Sequence, residues 1–425
     1  MWHVGLAPSH RRAVGVLCGA VLLAVGVVAC GSSDEQARRT AASDASVSAP
    51  PEPVFTPVVG AVMFAPTPFE GSDGRKHLVY EITLTNFTAA PVTLGGLRAL
   101  DASSDTAVLE LSAGDLAART KPVGGPEGGS VPGAPEGYSN ILRGGQNGIV
   151  FVHVVIPGGA QVPTTLTHEL DVVAQAAPPG SNRMTETLAQ VRVGSGDVPV
   201  LAPPLSGANY LAADACCDAQ RHTHAVLPVN GSPYLAQRYA VDWEQADDQG
   251  RIFVGDPQNP ASYRIFGDDA LAVADGVVVQ SRNDLPEQTP GEYPQGIALA
   301  DADGNNLVLD IGNGFFVNYA HMQPGSVRFA PGDRVRRGEV IGKVGNTGNS
   351  VAPHLHVHVM NGPSFIASQG VPSVTDRFTI TAQVASTADF DRSEGTGVPL
   401  VLAPGAPVGE RSNAMVLDQS LVTFP

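Results

Sequence analysis

Along this chain apolar residues fall at every second position in short runs, and turn-forming residues separate the runs. In "HLVYEITLTNF", Leu78, Tyr80, Ile82 and Leu84 share one side. "NGIVFVHVVIP", "THELDVVAQ" and "TLAQVRVG" follow at similar spacing. Period-two alternation bounded by Gly, Pro, Asn and Asp predicts half-buried strands. Several such strands within 54–200 predict a β-sandwich, interrupted by the Gly/Pro loop "TKPVGGPEGGSVPGAPEGYSN". "PVLAPPLSG" then reads as a linker to a second unit at 208–368, dense in strand signals: "AVLPVNG", "AQRYAVDWEQ", "GVVVQS", "NNLVLDIGNGFFVNYAHM", "DRVRRGEVIGKVGNTGNS" and "HLHVHVM". Residues 369–425 carry further runs such as "RFTITAQV" and are expected to form a C-terminal β extension.

Composition sharpens the fold class. Of 425 residues only 16% are charged, with 48 Gly and 35 Pro, so long amphipathic helices are scarce and the chain is mostly β. A net charge of -16 repels polyanions and argues against nucleic-acid binding. "YEITLTNFTAAPVTL" resembles an immunoglobulin-like strand, turn and strand, so the first unit is expected to be an immunoglobulin-like sandwich.

The N-terminus changes where the protein is expected to work. His10, Arg11 and Arg12 precede the apolar "AVGVLCGAVLLAVGVVAC", which has the layout of an export signal. Val27-Val28-Ala29-Cys30 resembles a bacterial lipobox. The resemblance implies removal of residues 1–29, lipidation of Cys30, and an exported protein held to the membrane facing the wall or periplasm. An uncleaved signal-anchor helix is the alternative. Residues 30–53, rich in Ser, Ala and Pro, cannot bury a core and read as a disordered tether. Cys216 and Cys217 are adjacent. Neighbouring Cα atoms sit about 3.8 Å apart, shorter than the usual disulfide span, so a vicinal bridge and two free thiols both stay open.

Histidines carry the chemistry. Six of the eleven lie between His222 and His358, while His77, His153 and His168 are isolated and read as structural or surface residues. Alternation puts His354, His356 and His358 on one strand face. In "RYAVDW", Val241 and Trp243 suit a core, so Asp242 projects from the other face. A carboxylate with several imidazoles suits zinc.

"ADGVVV", "GFFVNYAHM" and "VRFAPGDRVRRGEVIGKVGNTGNSVAPHLHVHV" occur in order and resemble the antiparallel β-sheet core of the M23 metallopeptidases, the lysostaphin-like peptidoglycan endopeptidases. The resemblance covers roughly residues 235–360. It implies that Asp242 and His356 ligate zinc, that His354 and His321 are non-ligand catalytic histidines, and that peptidoglycan peptide bonds are the substrate. His358 lies outside the motif and reads as a bystander.

One departure stands out. The family's first motif is His-x-x-x-Asp, and here Arg238 occupies the histidine position. A guanidinium cannot ligate zinc. His222, or alternatively His224, is expected to replace it. A hairpin pairing Asn230 with Tyr234 would set His222 opposite Asp242 and His224 opposite Ala240. Arg238 is then expected to bind a substrate carboxylate or carbonyl, or else to pair with an acidic neighbour. Without a third ligand the domain would be an inactive wall-binding or hydrolase-regulating protein.

Overall fold

The computed structural model describes residues 53–126, 134–217 and 220–425. The expected signal segment, Cys30 and nearly all of the tether lie outside the described residues. Phe55–Pro425 forms one compact unit.

The first half is a sandwich of two antiparallel sheets. One pairs β1 (Val58–Val62), β2 (Phe69–Glu70), β3 (Lys76–Asn86), β6 (Thr120–Pro122) and β8 (Asn147–Ile156), with β3 between β1 and β8. The other pairs β4 (Val92–Asp101), β5 (Thr106–Ser112), β7 (Ile141–Leu142), β9 (Thr165–Ala174) and β10 (Arg183–Arg192). A short helix, α1 (Ala113–Arg119), follows β5 and starts with a Ser112–Asp115 capping box. The inner faces share one core. Leu78, Tyr80, Ile82 and Leu84 of β3 and Val150, Val152 and Val154 of β8 meet Leu94 and Leu97 of β4 and Leu166 and Leu170 of β9. Tyr80 Oη meets His168 Nε2 at 2.7 Å across that core. His168 is therefore a satisfied core histidine.

The second half is one ten-stranded antiparallel sheet. Its order is β20 (Arg334–Val335), β17 (Gly276–Ser281), β18 (Asn305–Gly312), β19 (Phe315–Met322), β22 (Leu355–Met360), β15 (Val241–Gln245), β12 (Gly207–Ala213), β26 (Ser420–Phe424), β24 (Phe378–Gln383) and β25 (Gly409–Arg411). The small pairs β11 (Val200–Leu201) with β23 (Val374–Thr375), β13 (Leu227–Val229) with β14 (Ser232–Tyr234), and β16 (Asp269–Leu271) with β21 (Val340–Lys343) flank it. The C-terminal segment thus extends the same sheet, and it adds α2 (Thr387–Thr396). Trp243, Leu355, Val357, Val317 and Tyr319 pack on one face of the central strands. Alternation leaves Asp242, His356 and His358 on the other.

The expected hairpin register is not observed. β13 and β14 pair Val229 with Ser232 and Leu227 with Tyr234. Asn230 and Gly231 alone make the turn, with φ of 50° and 81°. An Asn-Gly pair meets the positive φ that a two-residue hairpin turn demands at both positions, so it outcompetes the longer connection through Pro233. Asp242 faces Ala213 of β12 instead.

The sandwich docks on the second half through buried polar contacts. Arg238 donates from Nε and Nη2 to the two carboxylate oxygens of Glu81, each at 2.7 Å, and from Nη1 to the Gly370 carbonyl at 3.0 Å. Tyr239 Oη donates to the Val79 carbonyl at 3.3 Å. Val79 and Glu81 lie on the outer face of β3, which is why both faces of that strand are buried.

Candidate metal centre

Two adjacent strands bring the first pair of donors together. Asp242 in β15 and His356 in β22 are direct cross-strand partners. His356 Nδ1 lies 2.8 Å from Asp242 Oδ1. A third donor arrives from a loop. After Ala213 the chain leaves the sheet at Asp214, whose φ is 51°, and returns with His222 Nε2 at 3.5 Å from Asp242 Oδ2. One donor atom each from His222, Asp242 and His356 falls within a 4.8 Å span. In a tetrahedral site with bonds of about 2.0–2.1 Å, donor atoms stand roughly 3.3 Å apart. His356 Nδ1 stands 2.8 Å from Asp242 Oδ1 and His222 Nε2 stands 3.5 Å from Oδ2 of the same carboxylate, one below and one above that value.

The outer partners orient these donors. His222 Nδ1 donates to the Asp214 carbonyl at 2.8 Å, which turns the Nε2 lone pair toward Asp242. His356 Nε2 meets His358 Nδ1 at 2.8 Å, leaving Nδ1 to face Asp242. His358 is buried and shares the His356 face, so it orients a donor instead of standing by. Its role was readable in the i, i+2 spacing but was hidden by its place outside the family motif. The donor set, its separations and its outer partners all fit a divalent metal of the zinc type.

Two more imidazoles border the trio. His354 Nε2 lies 3.4 Å from Asp242 Oδ1, and its Nδ1 donates to the Ala352 carbonyl at 2.8 Å. His321 Nδ1 donates to the Thr347 carbonyl at 2.7 Å. The two rings are 4.6 Å apart. Strict alternation from Ala320, the cross-strand partner of His356, would turn His321 to the opposite face. A φ of 61° breaks the alternation and brings the ring to the site. Such left-handed backbone in a non-glycine residue is strained and must be held by its surroundings. Here the Asp303 carbonyl accepts the His321 N–H at 2.9 Å.

The "GNTGNS" segment supplies the Thr347 carbonyl, and Ala352 follows the segment by two residues. Thr347 Oγ1 donates to the Met322 carbonyl at 2.9 Å and Ser350 Oγ donates to Asn346 Oδ1 at 2.6 Å. Gly348 has φ of 76°, and a Cβ there would sit 2.2 Å from the Gly304 nitrogen. Only glycine fits this position.

Charge is uneven across the cluster. Burial pushes Asp242 up, but the charges of His222 and His354 and hydrogen bonds from His354 and His356 outweigh it and hold the carboxyl well below its usual range. Burial drives His321 and His356 down, so both stay neutral near pH 7. Burial also opposes charge on His354, yet Asp242 and the Ala352 carbonyl prevail and raise it to about 9. A cation bound beside Asp242 would neutralise that carboxylate and release His354 from this pull.

Glu244, Glu394 and Asp214 escaped the sequence reading. Glu244 is buried two residues past Asp242, and burial together with the neighbouring Glu394 carboxyl pushes it well above its usual range. Glu394 lies on α2, which places the C-terminal segment beside the site. Arg221 ties the His222 loop to the same helix, donating to Asp214 Oδ2 at 2.8 Å and to Asp391 Oδ1 at 2.7 Å.

Two sequence expectations are corrected. Arg238 is only 3% exposed, and Glu81 and Gly370 hold its guanidinium, so the expected substrate contact gives way to the alternative, a pair with an acidic neighbour that serves docking. His224 does not reach the cluster. Its ring stacks on Phe151 with centroids 3.8 Å apart, and its Nδ1 meets Tyr138 Oη at 2.9 Å. Both partners belong to the sandwich.

Residues 263–368 match peptidase family M23, so the chain contains an M23 peptidase domain. Two relatives are, by name, an endolysin and a peptidoglycan DD-endopeptidase. Endolysin 2638A of Staphylococcus phage 2638A is 28% identical over 129 residues, covering 28% of this chain and 26% of the endolysin. The peptidoglycan DD-endopeptidase ShyA of Vibrio cholerae is 31% identical over 105 residues, covering 24% of this chain and 20% of ShyA. The chain thus spans about a quarter or less of the length of these relatives. Among solved structures, the lysostaphin catalytic domain from Staphylococcus simulans aligns with 25% identity, 34% of this chain, 80% of that domain and a TM-score of 0.20. A zinc-containing peptidase from Vibrio cholerae aligns with 15% identity, 71% of this chain, 84% of that chain and a TM-score of 0.20.

Proposed function

We propose that the protein is a zinc-dependent endopeptidase that cleaves peptide bonds in peptidoglycan stems or crosslinks. The observation that carries this reading is the donor trio His222, Asp242 and His356, completed by a loop histidine although Arg238 occupies the family's usual ligand position. Zinc held there supplies a Lewis acid for the scissile carbonyl and lowers the pKa of a water near it. The protein's own groups do the rest. His354 and His321 are fixed through their Nδ1 atoms and turn Nε2 toward the donors, one to relay a proton and the other to steady the oxyanion. The peptidoglycan relatives support the substrate class. The N-terminal signal and Cys30 support export and a lipid anchor that keeps the enzyme at the membrane beside its polymeric substrate.

The test is zinc content of the purified chain together with muropeptide release from sacculi. One zinc per chain and release abolished by His356→Ala or by chelation is expected. A chain that neither retains zinc nor releases muropeptides, yet binds sacculi, would establish the non-catalytic wall-binding reading instead.

A further inference from the structure

A second cluster of donors shares no residue with the first and serves no part of the proposed chemistry. His77 of β3 and His153 of β8 stand on the outer face of the sandwich, where the second half docks. His77 Nδ1 and His153 Nε2 face one another at 2.8 Å. The other nitrogen of His77 donates to Asp73 Oδ1 at 3.0 Å. A carboxylate behind an imidazole fixes the tautomer and directs the opposite lone pair outward, the arrangement found behind metal-ligating histidines. Cys217 completes the group. One donor atom each from His77, His153 and Cys217 falls within a 4.8 Å span. His77 and Cys217 are buried beside Phe69, Val79 and Tyr239, and the Phe69 ring stacks on His77 with centroids 5.5 Å apart. In this state Cys217 is bonded to Cys216 in a disulfide, so its sulfur is not a thiolate.

We propose that His77, His153 and Cys217 form a second, thiol-dependent transition-metal site, which takes a zinc-like divalent ion when a dithiol reductant has opened the Cys216–Cys217 bridge. Opening transfers two electrons and two protons from the dithiol to the bridge, which yields two cysteine thiols and oxidises the reductant to its own disulfide. Metal binding then displaces the Cys217 proton to solvent, and the thiolate joins two imidazoles in an N₂S donor set. His153 is the most exposed of the three donors.

Cobalt(II) titration of the full-length chain tests this, with His356→Ala present throughout to silence the first centre. The reduced chain, freed of dithiol, is expected to bind one equivalent with a thiolate-to-cobalt charge-transfer band. The oxidised chain and reduced Cys217→Ser should lack the band. Cys216→Ser, which cannot form the bridge, should show it without reductant. Asp73→Asn should weaken cobalt binding roughly 10–100-fold, as loss of an outer carboxylate does elsewhere. Circular dichroism on each variant separates loss of the site from loss of the fold. No thiolate band in the folded, reduced chain, or a band that survives unchanged in folded His77→Gln and His153→Gln, overturns the proposal. Because the first centre is disabled, neither result depends on whether the protein is a peptidase.

Discussion

Replacing Arg238 with Met separates a docking role from a catalytic one. The guanidinium makes two 2.7 Å hydrogen bonds to Glu81, whose side chain has no solvent exposure, and a third to the Gly370 carbonyl. Arg238→Met removes all three and leaves a buried carboxylate without a counter-charge. Breaking such a pair costs about 3–5 kcal/mol, because the remaining charge has neither water nor partner. The orphaned carbonyl adds roughly 1 kcal/mol. At about 2–4 °C per kcal/mol for a large domain, the melting temperature should fall by about 10 °C or more. Adding Glu81→Leu removes the stranded charge, and the double variant should regain most of the loss, since apolar replacement of a buried pair is often near neutral. Calorimetry reads the stability, and muropeptide release well below the melting temperature reads the activity. The expected outcome is an unstable single variant, a largely restored double variant, and undiminished turnover in whatever fraction is folded. A single variant of normal stability that has lost turnover would refute the argument and return Arg238 to the substrate.

Other expectations follow from the same geometry. His222→Ala should abolish stoichiometric zinc binding in isothermal titration, whereas His224→Ala should retain it and lose stability, because that ring packs on Phe151 in the sandwich. His358→Ala should lower zinc affinity roughly 10–100-fold by freeing His356 to rotate. His354→Ala and His321→Ala should keep zinc while kcat for muropeptide release falls roughly 10²–10⁴-fold. Glu186 is buried and its carboxyl is pushed up to about 7 by burial, against which the Val58 N–H donates to it. Its folded value lies above the unfolded one, so its stabilising effect is full below about pH 4.5 and is lost as pH rises through 7. Glu186→Gln should therefore gain roughly 1–3 kcal/mol at pH 8 in urea unfolding and show little gain at pH 4.

Strand faces were the most legible part of the molecule. Leu78, Tyr80, Ile82 and Leu84 alternate in sequence and are the core of the sandwich. Val241 and Trp243 point away from Asp242 for the same reason. Period two is a local property, so a single chain displays it without knowledge of its partners. What failed was non-local or broke the period. Glu81 alternates with apolar neighbours and looks like a surface residue, yet its face is covered by the docked second half. The sequence cannot show that Arg238 meets a carboxylate more than a hundred residues earlier. His222 reaches Asp242 through a loop that starts at Asp214, so the hairpin expected to deliver it was the wrong route to the right neighbourhood. His321 reaches the site only because its backbone leaves the β region. Glu394 approaches from a helix near the C-terminus, where no spacing argument extends.

The arginine that stands in a ligand's usual place also decides how divisible the protein is. In a detachable catalytic module the surface cut from its neighbour is polar and tolerant. Here excision of the sandwich would leave Arg238 without Glu81, and Phe151 and Tyr138 would vanish from around His224, two residues from the donor His222. The loop that delivers the third donor is propped from the other side of that junction. The two halves are thus one machine with a shared keel, and a minimal peptidase carved from the second half would need both an apolar residue at 238 and a new support for the 214–224 loop.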